Sequence, residues 1–259
     1  MEDPRTVSIQ EWYDFIYNRD KEKEFLFLNY GYADLESTGS PLVLQPAEEE
    51  YRSRIQLYHH IAQAADMTGK EVLEVGCGCG GGTAYIATHF GPALMKGLDL
   101  SQTAIKFCRE QHAAIPNLTF LHGNAEALPF NDNSFDIIMN VESSHSYKTV
   151  SNFFNEVNRV LRPQGSFLFA DLRGTSEFPI LRQQLRDAHL QLLQEENITP
   201  NIIRALELDH DRKIKFTQSS MPRFLYKPFH KFYGTKNSET YECFIKGLME
   251  YYFFILQKG

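Results

Sequence analysis

The stretch that most constrains this chain is Glu74-Val75-Gly76-Cys77-Gly78-Cys79-Gly80-Gly81-Gly82, where five of the last seven residues are glycine. It follows a short apolar run over Glu71–Val75 and precedes a helical pattern over 82–90, so it reads as strand, turn, helix. Residues without a Cβ let a ligand approach the backbone, and amide N–H groups at a helix start point toward it. So many glycines are entropically costly for a mere connection. Gly76, Gly78 and Gly81 satisfy the spacing of a dinucleotide loop, which keeps a nicotinamide-dependent oxidoreductase in view. Glu74 argues against it. A carboxylate two residues before the first glycine disfavours a pyrophosphate and suits a ligand bearing an ammonium group.

The flanking sequence supplies an α/β sheet. Apolar runs at 94–98, 118–122, 135–140 and 166–170 alternate with helical patterns, the signature of a mostly parallel sheet. The run at 135–140 is continuous, as a strand buried on both faces requires. Tyr51, Ile55 and Tyr58 predict a helix before the first strand, and Ser101 is placed to cap the helix carrying Ile105 and Cys108. Val150, Phe153, Phe154, Val157 and Leu161 form another buried stripe, ended by Arg162-Pro163-Gln164-Gly165. Tyr241, Phe244, Ile245 and Leu248 predict a late helix, followed by a last strand at 251–256. Four zones are expected: an aromatic cap over 1–50 (Trp12, Tyr13, Phe15 and Tyr17 among its rings), a cofactor-binding core over 51–172, a lid over 173–236 and a closing helix and strand over 237–259.

Glu74-x-Gly76-x-Gly78-x-Gly80 resembles motif I of the class I S-adenosylmethionine-dependent methyltransferases. Asp99 ends the second strand 23 residues after Gly76, where an acid can accept both ribose hydroxyls. Gly123-Asn124-Ala125-Glu126-Ala127-Leu128-Pro129-Phe130 resembles the segment that frames adenine in that family, with Asn124 in place of the usual Asp; its amide oxygen still accepts, without charge assistance. The resemblance implies a Rossmann-like, seven-stranded class I methyltransferase sheet with an N-terminal helical cap and a lid inserted between strands five and six. It also implies S-adenosyl-L-methionine as cofactor, S-adenosyl-L-homocysteine as product, and cofactor contacts from Glu74, Gly76, Cys77, Gly78, Asp99, Leu100, Asn124, Ala125, Glu126 and Asn140.

A sulfonium methyl group is already electrophilic, so much of the catalysis is placing the acceptor in line with it. A neutral alcohol additionally needs a base. The loop after the fourth strand, Asn140-Val141-Glu142-Ser143-Ser144-His145-Ser146-Tyr147, and the end of the fifth, Ala170-Asp171-Leu172-Arg173, meet if these strands are neighbours about 4.8 Å apart. His145 and Asp171 then form a base and its orienting acid. These segments, with Asn29-Tyr30-Gly31-Tyr32 upstream, resemble the phthiotriol/phenolphthiotriol dimycocerosates methyltransferases and the rebeccamycin-type sugar O-methyltransferases, which implies O-methylation of a lipid, polyketide or glycoside hydroxyl. Methylation of a small amine, and a methyltransferase-like fold that moves no methyl group, stand as alternatives. Glu142 and His145 have ExxH spacing but sit on a loop with no second ligand pair, and Cys77 and Cys79 lack partners, so no metal is expected.

Charge sets the remaining expectations. The net charge of −7 argues against general nucleic-acid binding. Four cysteines make no disulfide framework, the polar start resembles no signal peptide, and no run is long and apolar enough to span a bilayer. A cytoplasmic enzyme is expected. The segment 212–236 holds seven basic residues and no acidic one, interleaved with aromatics, and reads either as a solvated basic surface or as one that meets an acidic partner: an anionic membrane surface, an acyl carrier or a negatively charged acceptor.

Overall fold

The computed structural model describes residues 24–35 and 42–259; Trp12, Tyr13, Phe15 and Tyr17 of the expected cap lie outside them. Seven strands form one sheet among the described residues: β1 (Glu71–Val75), β2 (Leu94–Asp99), β3 (Leu118–His122), β4 (Phe135–Val141), β5 (Leu161–Gly174), β6 (Leu190–Asn197) and β7 (Met249–Lys258). Their order is β3-β2-β1-β4-β5-β7-β6. Strands β1 to β5 pair in parallel, and β7 runs antiparallel to both its neighbours. The strand order reverses between β1 and β4, so a crevice opens there beyond the carboxyl ends of the strands.

Helices cover both faces. On one face α1 (Arg52–Ala62), α2 (Gly81–His89) and α3 (Gln102–Gln111) bury Ile55, Leu57, Ile86, Ile105 and Cys108 against Val72 and Met95. On the other, α4 (Val150–Val160) and α5 (Phe178–Asp187) bury Phe153, Phe154, Val157 and Leu181 against Leu73, Ile138 and Phe167. Val72 and Leu73 thus serve opposite cores, as the two-residue period of a strand dictates. Ser101 caps α3 as expected, its Oγ accepting from the Ala104 N–H at 3.1 Å.

The region after β5 departs from expectation. A strand, β6, lies inside the stretch read as lid, because Leu-Gln-Leu-Leu-Gln-Glu-Glu-Asn is mostly exposed and lacks the apolar density of a central strand. A 3-10 turn at Thr175–Glu177 and α5 connect β5 to β6. The long insert lies instead between β6 and β7 and comprises α6 (Thr199–Leu208), α7 (His210–Ser220), α8 (Tyr226–Tyr233) and α9 (Glu239–Ile245), with a 3-10 turn at Arg223–Leu225.

The described part of the N-terminal region begins with a 3-10 turn at Glu24–Leu26 and then runs without regular structure through 27–35. Phe25 packs with Met221, Leu225, Phe229 and Tyr233 of the insert, stacking on the Tyr233 ring at 6.1 Å. Beside these rings Arg54 reaches Glu24 at 2.5 Å, and Arg212 pairs with both Glu24 and Asp209. The two segments meet as one aromatic and ionic layer.

Candidate active site

The glycine loop is shaped by what presses on it. Gly76 has φ +78°, and a Cβ there would lie 2.0 Å from the Ser143 Oγ, so only glycine lets the loop after β4 approach. Gly82 admits Tyr58 in the same way, since a Cβ would meet that ring at 1.9 Å. The end of β2 holds the loop in place: the Leu98 carbonyl accepts from the Gly76 and Cys77 N–H groups, and the Asp99 Oδ2 accepts from Gly78 at 2.9 Å.

Three of the expected cofactor contacts turn inward. Glu74 is fully buried and accepts from the Tyr58 hydroxyl at 2.6 Å and from the Thr83 hydroxyl; burial pushes its pKa up to about 7 against those bonds. The Cys77 N–H donates to Leu98, and burial raises its thiol well above the usual range. The Glu126 Oε1 accepts from the Lys148 and Thr149 N–H groups, closing the loop that enters α4.

Asp99, Leu100, Asn124, Ala125 and Asn140 sit at or just beyond the carboxyl ends of β2, β3 and β4. Asp99 is partly exposed, with Oδ1 accepting from Ser101 at 2.8 Å; burial raises its pKa in spite of its backbone bonds. The Leu100 side chain stands 53% exposed beside it. Asn124 is exposed, Ala125 is buried, and their loop is tied to β2 through the Gly123 N–H, which donates to the Asp99 carbonyl at 3.0 Å. Asn140 is buried, and its Nδ2 donates to the Val75 carbonyl at 2.7 Å and to the Tyr147 hydroxyl at 3.0 Å. A carbonyl can only accept, which fixes the amide orientation. The buried Oδ1 is therefore an acceptor, and among the described residues no donor reaches it. A ligand with an ammonium group would satisfy it.

At the ends of β4 and β5, His145 and Asp171 meet. The His145 Nδ1–H donates to the Asp171 Oδ1 at 2.8 Å, and the His145 backbone N–H donates to Oδ2 at 3.0 Å. Ser144 donates to Oδ2 at 2.7 Å, and Arg173 pairs with it at 3.0 Å. Burial works to raise the Asp171 pKa, but His145 and Arg173 hold it far below the carboxylate range. For His145, burial works downward and the Asp171 charge and hydrogen bond outweigh it, so its pKa is raised. Because Asp171 is ionised, the proton on a neutral imidazole sits on Nδ1 and the Nε2 lone pair faces away from Asp171. The imidazole keeps 35% of its surface accessible.

Sequence reasoning missed Glu142 as a partner of this site. It carries φ +47°, unusual for a non-glycine residue, and its Oε1 accepts from the Tyr30 N–H at 2.8 Å. Burial pushes its pKa up to about 8 against that bond. Arg173 and Ser144 were also missed, although both lie within the quoted loop sequences. Among the described residues no group of three or more His, Cys, Asp or Glu side chains is arranged to hold a metal ion, and no helix is long and apolar enough to cross a membrane.

A methyltransferase-domain family profile matches 73–169, the span from β1 into β5. A fatty-acid O-methyltransferase of Mycolicibacterium smegmatis is 41% identical over 244 residues, covering 90% of this chain and 88% of that protein. A phthiotriol/phenolphthiotriol dimycocerosates methyltransferase of Mycobacterium tuberculosis is 35% identical over 247 residues, covering 95% and 90%. Among solved structures, a geranyl diphosphate C-methyltransferase from Streptomyces coelicolor, bound to Mg2+, geranyl diphosphate and S-adenosyl-L-homocysteine, superposes with a TM-score of 0.68 at 16% identity, covering 98% of this chain and 99% of that one.

Proposed function

The chain belongs to the class I S-adenosylmethionine-dependent methyltransferases, and on that premise we propose that it methylates an oxygen of a lipid-like or natural-product acceptor, with His145 as general base and Asp171 as its support. The observation that carries this reading is the 2.8 Å bond from the His145 Nδ1–H to a fully buried, ionised Asp171, at the carboxyl edge of the sheet.

The cradle suits its cofactor. The unsatisfied Asn140 Oδ1 fits the ammonium group, the partly exposed Asp99 fits the ribose diol, and Leu100 with Asn124 and Ala125 fits the adenine side. Glu74, Cys77 and Glu126 hold the shape of the cradle through the bonds already described. When bound, the cofactor supplies an electrophilic methyl carbon on a sulfonium. As the acceptor oxygen bonds to that carbon and the sulfur–carbon bond breaks, the hydroxyl proton passes to the His145 Nε2. Asp171 keeps the Nδ1 proton in place and stabilises the imidazolium.

The names of the two curated relatives favour a lipid-like acceptor, and four cysteines that form no disulfide, Cys77, Cys79, Cys108 and Cys243, suit a reducing, cytoplasmic setting. On the same reading the basic stretch 212–236 meets an acidic surface. A second reading takes a carboxylate acceptor, favoured by the raised pKa of His145: no base is then needed, and the imidazolium serves as counter-ion.

His145→Ala and Asp171→Asn test the assignment. With an alcohol acceptor, His145→Ala is expected to lower turnover by about 10²–10⁴ while S-adenosylhomocysteine still binds. Unchanged turnover would exclude the base. In the parent enzyme, alcohol methylation rises with pH through the His145 pKa, whereas carboxylate methylation falls.

A further inference from the structure

The insert leaves one part of its surface with no partner among the described residues. Of the seven basic side chains in 212–236, Arg212 is paired with Glu24 and Asp209, Lys213 is buried against Asp209 and the Tyr233 carbonyl, and Lys231 pairs with Glu239. Lys215, Arg223, Lys227 and Lys236 are exposed and have no ion-pair partner among the described residues. The turn between α7 and α8 carries Arg223, and Lys227 lies in the first turn of α8. There Leu225 and Phe229, four residues apart, face inward and pack in one cluster with Phe25, Tyr226 packs against the same cluster, and Lys227 is left exposed. Phe224 stands 69% exposed between Arg223 and Lys227.

Glu239, the carboxylate that also feels Lys227, is already paired with Lys231, and a bare aromatic ring flanked by cations is costly in water and matched to one kind of surface. Apolar area enters the acyl boundary while the cations meet anionic headgroups. We infer that the turn Pro222–Lys227 docks the enzyme on an anionic lipid bilayer, with Phe224 as the inserted side chain. This deepens the proposed function and rests on its lipid-like acceptor. The turn also leads to the site. It opens α8, whose eight residues span about 12 Å. At the far end of α8, a Cβ on Gly234 would lie 3.5 Å from the Tyr30 ring, and the Tyr30 N–H donates to Glu142 in the loop that carries His145. An acceptor leaving the bilayer at Phe224 thus has a short path along α8 to the crevice.

Sedimentation of the full chain with vesicles tests this. One set contains phosphatidylcholine alone, the other an equal mixture with phosphatidylglycerol. The protein is expected to pellet with the mixed vesicles at about 0.05 M salt, not with the neutral ones, and to be released at about 0.5 M. Replacing Arg223→Gln and Lys227→Gln together is expected to weaken binding by about 25-fold, roughly fivefold per cation. Phe224→Ser is expected to weaken it at the low salt concentration. Both variants keep the parent's turnover of a short-chain, water-soluble alcohol. Absence of pelleting at low salt, equal pelleting on neutral vesicles, or unchanged binding by the variants would overturn the inference. Retention on an immobilised acidic acyl carrier without vesicle binding would overturn it in favour of a carrier. Vesicle binding without methylation of any alcohol or fatty acid would instead strike the proposed function and leave the surface intact.

Discussion

At the scale of single residues, the His145–Asp171 pair was legible because adjacent parallel strands end side by side, so residues after β4 and at the end of β5 must meet. Glu142 was not, since its partner is a backbone N–H 112 positions earlier, on a segment without regular structure. Its behaviour with pH follows from burial. The folded pKa, about 8, lies above the ordinary carboxyl value near 4.5, so the folded state binds more protons in between, and stability falls as pH rises through that window. Glu74, at about 7, adds to the same decline. Glu142→Gln preserves an acceptor for Tyr30 and cannot ionise. Denaturant midpoints compared at pH 5.5 and pH 8.5 are expected to fall less in this variant than in the parent; equal falls would remove Glu142 from the account. Gly76→Ala tests the cradle, because it combines an unfavourable φ, costing about 1–2 kcal/mol, with a collision against Ser143. S-adenosylhomocysteine affinity by calorimetry is expected to drop at least about tenfold, as Ser143 and Tyr147 are pushed out of register.

At the scale of elements, the central strands were readable because burial on both faces writes them as continuous apolar runs, as Phe-Asp-Ile-Ile-Met-Asn-Val does in β4. β6 escaped because an edge strand with most of its side chains in water carries no such run. That miss moved the insert to the wrong side of a strand. Charge misled in a related way: three of the seven cations in 212–236 are answered by Glu24, Asp209 and Glu239, all outside the segment. The layer between the N-terminal turn and the insert therefore depends on long-range pairs. Arg54 is its hinge, buried with one guanidinium nitrogen 2.5 Å from the Glu24 carboxylate and another donating to the Glu24 carbonyl at 2.8 Å. Burial works to raise the Glu24 pKa, but Arg54 and Arg212 hold it below the usual value. Arg54→Ala leaves buried carboxylates undercompensated and is expected to cost about 3–5 kcal/mol in denaturant unfolding. Lys213→Met should cost much less. Its ammonium is pushed down to about 8 by burial, and Asp209 keeps Arg212 and Arg54 as partners. Equal losses in the two variants would show that packing, rather than charge, holds the layer.

At the scale of the whole molecule, parts far apart in sequence converge on the glycine loop. Ser143 from the loop after β4 presses on Gly76, Tyr58 from α1 presses on Gly82, and a Cβ on Gly81 would lie 2.4 Å from the Leu26 carbonyl of the N-terminal segment. That segment is joined to the insert through Phe25 and to the loop after β4 through Tyr30. A ligand seated in the cradle therefore bears on three layers at once, and its binding energy counts once toward the cooperative unfolding of all of them. At about 100 times its dissociation constant, S-adenosylhomocysteine is expected to stabilise the fold by about 2.7 kcal/mol. For a chain of this size that corresponds to a rise in Tm of about 5–11 °C. Hydrogen exchange separates a local effect from a global one. If the layers are coupled as the contacts require, protection increases over 24–33 and α8 as well as over the glycine loop and 123–127. Protection confined to the two loops, with the same rise in Tm, would mean that the N-terminal segment and insert open independently of the cofactor. Acceptor entry would then be free of cofactor binding. Coupled protection instead makes the filled cradle a condition for a closed site, because the loop that carries His145 and the N-terminal segment both rest on the glycines.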